Sequence, residues 1–460
     1  MAGGFREEGT AEIPIASAEI YDPNTNTFTP TGEMNEARAG HTATLLPNGL
    51  VLIVGGWGVD GRLPTTELYD PQTGKFRPAA SMFAPRASMT ATLLQNGQLL
   101  IAGGDSAKNT PQLIAERYDP ATDTFTQSGS LHNGRSAHTA TRLNDGRVLL
   151  IGGKSKNNNM ILASAEIFDP TTGEFTLTGS MNTARHKHAA VLLPDGNVLV
   201  MGGSDENDWR GQYSSAELYD SGTGSFTPIA DMNNARFKLA DAAVLLNNGD
   251  VLVGGGNRQI ELFDAQNQQF IAADQIDDDY YFSVLTLLLD GRVLITGGYD
   301  ASIQPSEKAW VYTAVSPYTS AITGVADCPV TQPPNPPFIP PSPWPSQPPD
   351  TSRYWFGDNG LWVALPTDGI WSQLLLGEKF LWWSQEFDVY EDETPDLTMT
   401  GRRLGGEAPP FQTSEATNIY HESIDWAMMS GVELASSGCW ELTGQYKGHQ
   451  LSFVLWVPPG

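Results

Sequence analysis

RAGHTATLLPNGLVLIVGGWGVDGRLPTTELYDPQTGKF, residues Arg38–Phe76, holds four short β-prone runs. HTATLL and LVLIVGG are separated by Pro47-Asn48-Gly49. Asn-Gly between two such runs signals a hairpin, and a type I′ turn with positive φ at both central residues is expected there. After a loop of variable length, TTELYDP forms a third strand, and a turn ending in Thr73-Gly74 leads to a fourth strand that begins at Phe76. The corner returns as Asn96-Gly97, Asp145-Gly146, Asp195-Gly196, Asn248-Gly249 and Asp290-Gly291. The second run closes each time on a glycine pair, whose first member is residue 3, 55, 103, 152, 202, 255 or 297. Four antiparallel strands recurring at roughly 40 to 50 residues predict the blades of a β-propeller.

The glycine pair after an apolar strand, the Tyr/Phe-Asp-Pro that follows and the aromatic opening strand four resemble kelch repeats across residues 1–325. That resemblance implies an all-β, kelch-type β-propeller, a scaffold that carries many unrelated functions. Unit zero, Gly3–Phe28, supplies only strands three and four, AEIYDP and NTFTP. Complete units open at His41, Met89, His138, His188 and Asp241, and the last unit ends in KAWVYT with no Asp-Pro. Six blades close if the first unit's strands pair with the last hairpin, and seven exist if the first blade is incomplete. Seven glycine pairs and seven third strands weigh toward seven. The chain opens at the close of a second strand without an export signal, so a truncated start is expected.

Counting back 11 positions from each turn glycine gives Arg38, Arg86, Arg135, Arg185 and Lys238, then Tyr280. Two residues before each third-strand aromatic stand Glu67, Glu116, Glu166, Glu217 and Glu261, then Trp310. Base and acid vanish together in the last unit, which predicts a structural ion pair in each of the others.

Residues 329–349 contain 11 prolines, a composition that predicts an extended spacer. The chain therefore divides into a propeller at 1–325, a Pro-rich linker at 326–353 and a Trp-rich domain at 354–460. The last part carries 8 of the 12 tryptophans in short alternating runs such as GLWVALP and KFLWWSQEF, which predicts an immunoglobulin-like β-sandwich. Its closing stretch GCWELTGQYKGHQLSFVLWV, with Cys328-Pro-Val-Thr, resembles C-terminal β-modules of exported bacterial proteins, and that resemblance implies an extracellular or cell-surface location. Cys328 and Cys439 are the only cysteines and are expected to form a disulfide, which needs an oxidising compartment.

A net charge of −27 argues against a nucleic-acid partner, because no basic patch exists to displace counterions from phosphates. No apolar run reaches the ~20 residues of a membrane-spanning helix. In an antiparallel blade the one-to-two and three-to-four turns share one face, so the long loops and blade connections share the other. Candidate ligand-binding residues there are Trp57, Arg62, Asp105, Lys154, Trp209, Arg210, Tyr213, Arg258 and Tyr299, suited to stacking on a sugar or anchoring a protein. His41, His138 and His188 share one repeat position at the channel mouth, where other units place Met89, Asp241 and Ser283. No catalytic residue, metal site or cofactor is expected. The function so implied is a binding protein for a glycan or protein ligand. The alternative is a carbohydrate-active enzyme or a galactose-oxidase-like copper radical oxidase, whose Cys-Tyr crosslink has no counterpart in a propeller span that lacks cysteine.

Overall fold

The computed structural model describes residues 1–8, 11–108, 110–155, 160–313, 328, 330–333, 338–340, 353–357, 360–367, 370, 379–384, 387–388, 395–404, 411–413, 416–421, 425–431 and 438–457. Two compact units emerge, Met1–Thr313 and Ala314–Gly460. Most of the Pro-rich stretch lies outside the described residues.

In the first unit the repeat becomes a series of antiparallel sheets. The first four-stranded sheet runs Thr42–Leu45, Val51–Val54, Thr66–Asp70 and Lys75–Ala79, with neighbours hydrogen-bonded in that order. Four more four-stranded sheets follow, opening on Ala87–Leu93, Thr139–Arg142, Ala189–Leu192 and Ala243–Leu245. A three-stranded sheet, Val284–Leu287, Val293–Thr296 and Ala309–Tyr312, comes last. Unit zero contributes the pair Glu19–Asp22 and Thr27–Pro30. First strands of consecutive sheets touch one another, which arrays the sheets around a common centre as the blades of a β-propeller. Arg292, in the last sheet's hairpin turn, donates to Asn26 Oδ1 and the Pro23 carbonyl, at 2.8 and 2.5 Å, and so joins the last sheet to the first pair.

Packing explains the repeat pattern. Second strands such as Val148–Ile151 are buried along their whole length because sheets flank both faces. One core cluster joins Leu52, Val54 and Leu68 of one sheet to Leu99, Ile101 and Tyr118 of the next, so apolar burial lies between blades. The aromatics of strands three and four are directly opposed in register, as with Tyr69 and Phe76, whose ring centres stand 4.7 Å apart. Tilted cross-strand pairs of this kind add about 0.5–1.5 kcal/mol beyond area burial.

The Asn-Gly corners depart from the expected turn. Leu46 N–H bonds the Leu50 carbonyl at 2.8 Å and Gly49 N–H bonds the Leu46 carbonyl at 2.9 Å, leaving a three-residue loop in which only Gly49 takes positive φ, at 80°. This is a type I turn closed by a left-handed glycine, because Pro47 adds a residue that the two-residue type I′ turn does not accommodate.

The second unit contains a five-stranded sheet and a four-stranded sheet, the latter centred on Thr398–Leu404 and Gly438–Tyr446. Residues of both, among them Val363, Phe380, Trp382, Met399, Trp440 and Phe453, share one buried apolar cluster. Cys328 and Cys439 form a disulfide with Cα atoms 5.5 Å apart. Thr331 then pairs with Val454, its N–H donating to the Val454 carbonyl at 2.9 Å and its Oγ1 accepting from the Val454 N–H at 2.7 Å.

Candidate functional site

The geometry of the long-loop face begins with the buried arginines. Arg135 reaches Glu166 at 2.7 Å, Arg38 reaches Glu67 at 3.0 Å and Arg185 reaches Glu217 at 3.2 Å, with Arg86 paired to Glu116 in the same way. Each arginine also donates to the first glycine of its blade's pair, for example Arg185 to the Gly202 carbonyl at 2.7 Å. The carboxylate's other contacts come from the incoming connection, chiefly its backbone N–H groups, such as His132 at 2.7 Å and Asn133 at 3.1 Å for Glu166, with the His132 ring at 3.1 Å beside them. These pairs knit strand three to the blade connection.

In the fifth blade the pairing departs from the spacing. Arg236, not Lys238, pairs with Glu261, at 2.5 Å. The arginine and the glycine it bonds are 17 residues apart in four blades and 19 in this one, so two extra residues displace the count from the turn. The same shift puts Leu239, not Asp241, at the position of His41, Met89, His138 and His188, since Gly202 packs on Leu239 as Gly152 packs on His188.

Immediately before that position each of the six sheets that open on a first strand has a left-handed residue: Gly40, Ser88, Ala137, Lys187, Lys238 and Phe282, with φ between 50° and 63°. Backbone hydrogen bonds link this collar from blade to blade. Ala137 N–H bonds the Ser88 carbonyl at 3.1 Å, Lys187 N–H the Ala137 carbonyl at 2.9 Å and Phe282 N–H the Lys238 carbonyl at 3.1 Å. In the fifth blade Leu239 N–H makes the bond to Lys187, at 3.1 Å. The collar is small along one arc and carries two lysines and a phenylalanine along the other.

Around Lys238 the loops build an aromatic nest. Its Nζ stands 3.7 Å from the centre of the Trp209 ring, 4.7 Å from Phe237, 4.9 Å from Tyr299 and 5.3 Å from Tyr281, and it donates to Tyr299 Oη at 2.6 Å. Trp209 meets Tyr281 edge-on at 4.5 Å and Phe237 at 5.0 Å. Lys187 Nζ holds both oxygens of Asp208, at 2.7 and 2.9 Å. Lys238 is only 4% exposed, whereas Trp209 and Phe282 are 39% and 42% exposed and present ring surface to solvent. Burial, reinforced by the charge of Lys187, lowers Lys238 to about 8. Burial likewise raises Tyr299 to about 12, with Asp208 adding to the effect. For Asp208 burial works against ionisation, yet the hydrogen bond and charge of Lys187 hold its carboxyl below the ordinary range.

Of the residues singled out from sequence, Trp209 and Tyr299 enter this nest. Trp57 and Arg62 form a separate pair, the guanidinium 3.9 Å from the ring centre, with Asp105 near enough to act on its charge. Trp57, Asp105, Lys154 and Tyr299 turn out to be equivalent: each follows a glycine pair and bridges back to the residue two before the first strand's His/Met/Ser position. Tyr213 lies under Arg185, at 5.5 Å, and Arg258 N–H bonds Asp279, so neither joins the nest by these contacts, and Arg210 sits on the short 3-10 turn Asp208–Arg210 beside Trp209. His138 and His188 are buried and bond Thr90 and Thr139 of the preceding blade, at 3.1 and 2.9 Å. They pack blades, and His41 is wedged beside Gly3.

Sequence reasoning missed Lys187, Phe237, Lys238, Tyr281 and Phe282 as a set. The signal was present in Asn-Thr-Ala-Arg-His-Lys at 182–187 and Asn-Asn-Ala-Arg-Phe-Lys at 233–238, which align Arg185 with Arg236 and Lys187 with Lys238 without any count from the turn.

The buried histidines make stability pH-dependent. Burial lowers His138 to about 3 and His41 and His186 to about 4, and His188 falls well below its ordinary value. The native state keeps them neutral while the unfolded chain takes up protons below about 6.5, so stability is full above that pH and falls as pH drops toward 4. Each such histidine costs up to about 1.4 kcal/mol per pH unit in that window. The urea midpoint of the first unit is expected to hold between pH 8 and 7 and to fall between pH 6.5 and 5, before most carboxylates titrate; a flat midpoint down to pH 5 would contradict it.

The kelch motif model matches residues 37–83 and 185–233. Among solved structures, a fungal alcohol oxidase of the AA5 family in complex with copper covers 99% of this chain and 94% of its own, at 15% identity and a TM-score of 0.59. The structure of YjhT covers 61% of this chain and 99% of its own, at 15% identity and a TM-score of 0.47. No curated protein matches. At this identity the oxidase shares the fold alone. Among the described residues no three His, Cys, Asp or Glu side chains converge to hold a metal ion. No helix among them is long and apolar enough to cross a membrane.

Proposed function

With the first unit a kelch-repeat β-propeller, we propose that the protein is a binding protein that takes a glycan or protein ligand on the long-loop face, centred on the nest around Lys238. The observation that carries this reading is the pair of exposed rings, Trp209 and Phe282, set beside Asp208, Lys187 and Tyr299. Ring faces stack on the apolar face of a sugar, and the neighbouring carboxylate, ammonium and phenol bond its hydroxyls. Such a combination favours a glycan over a flat protein surface. Lys238 fixes the arrangement, since one ammonium over several desolvated rings holds them together by up to about 2 kcal/mol per cation–π contact. The Cys328–Cys439 disulfide supports an oxidising compartment, which we take to be the bacterial exterior.

A glycan array probed with the full chain tests this. Binding to a restricted set of sugars is expected; a folded protein that binds none of them would overturn the glycan reading.

A further inference from the structure

We infer that Lys238 is an amine nucleophile that captures a carbonyl-bearing ligand, such as the open-chain aldehyde of a reducing sugar, as an imine, with Tyr299 relaying the proton. This rests on the reading of the nest as the recognition centre and specifies the chemistry by which part of a ligand would be held.

Four features of the geometry converge on it. The collar places Lys187 and Lys238 at equivalent left-handed positions of neighbouring blades, and both amines face the ring of Phe237, at 5.8 and 4.7 Å. The carboxylate at hand, Asp208, is taken by Lys187, and among the described residues Lys238 has no carboxylate within ion-pair distance. The walls of its site are rings, which hydrate the amine poorly. Among the described residues the one hydrogen-bond partner of its amine is a phenol, Tyr299 Oη at 2.6 Å. Desolvation next to a second cation is what turns a lysine into a nucleophile, because it favours the neutral amine. The amine's lowering to about 8 agrees with this arrangement. Tyr299, raised to about 12, remains protonated and able to donate.

The step balances without an oxidant. The Nζ lone pair attacks the carbonyl carbon and the C=O π pair moves to oxygen. Tyr299 gives its proton to that oxygen and recovers one from the nitrogen, which yields a carbinolamine. Loss of the hydroxyl as water, with departure of the remaining N–H proton, leaves C=N. Amine plus aldehyde give imine plus water.

The test is reductive trapping on the full chain, using glycolaldehyde with cyanoborohydride and mapping modified lysines by mass spectrometry. At pH 8 Lys238 is expected to be modified about tenfold faster than an ordinary lysine, since its neutral fraction is far larger. Its rate should rise with a midpoint near pH 8, as for the amine itself. Tyr299→Phe should slow trapping at Lys238 while leaving Lys75 and Lys154 unchanged. Lys238→Arg keeps a cation in the nest, and its labelling should lose only the fast site. Modification spread evenly over the lysines, or Lys238 reacting no faster than Lys75, in a protein whose unfolding midpoint is normal, would overturn the inference. Glycan binding on the array without trapping would refute the imine and leave the binding site standing, whereas trapping without glycan selectivity would separate the two in the other direction by upholding the nucleophile alone.

Discussion

Replacing Arg236 by alanine is expected to destabilise the first unit by roughly 3–5 kcal/mol, because it strands the Glu261 carboxylate in the protein interior. Both partners are fully buried, and Glu261 is further bonded by the N–H groups of Asn233 and Asn234, at 2.7 and 3.2 Å. Lys238→Ala is expected to cost less, since it leaves no buried carboxylate unpaired and loses only the cation–π contacts and the hydrogen bond to Tyr299. Urea unfolding of the two variants side by side measures the difference. A loss in Lys238→Ala equal to or greater than that in Arg236→Ala would return the ion pair to Lys238 and undo the register on which the collar is built.

The second large effect belongs to the disulfide. It closes a loop of 111 residues, and in the chain-entropy model such a closure removes about 4–5 kcal/mol of unfolded-state freedom. The bridge also holds Cys328 in a buried cluster with Leu404, Val454 and Trp456, and the bonds between Thr331 and Val454 continue the attachment. In the Cys328→Ala, Cys439→Ala variant the calorimetric transition of the second unit should fall by roughly 8–20 °C, at about 2–4 °C per kcal/mol for a domain of this size. The transition of the first unit should not move. Equal transitions with and without the bridge would show that the second unit's core alone sets its stability.

Much of the propeller was legible because its determinants are local and repeated. Gly49 and its equivalents announce a corner, apolar second strands announce burial on two faces, and Tyr69 opposite Phe76 announces the outer hairpin. Four of the buried pairs, Arg38–Glu67, Arg86–Glu116, Arg135–Glu166 and Arg185–Glu217, followed from spacing as well. The fifth failed for one physical reason: the ion pair is anchored to the blade connection, and the two residues inserted in the fifth blade lie between that anchor and the turn from which the spacing was counted. The nest was hidden differently. Lys187, Asp208, Lys238, Tyr281 and Tyr299 come from three successive blades, and only the packing of each blade on the next brings residues so far apart in the chain around one amine. Trp209 and Tyr299 were visible as loop aromatics, but nothing local distinguishes them from Trp57, which pairs with Arg62 elsewhere.

The most direct test of the account is calorimetric titration of the best array ligand into Trp209→Ala and Trp57→Ala. Both tryptophans stand on long loops, and Trp209 alone of the two belongs to the nest. Trp209→Ala is expected to lose affinity by at least about fivefold, as for a stacking aromatic worth about 1–3 kcal/mol, while Trp57→Ala binds as the parent does. Unchanged affinity in a folded Trp209→Ala protein, or loss in Trp57→Ala alone, would contradict it.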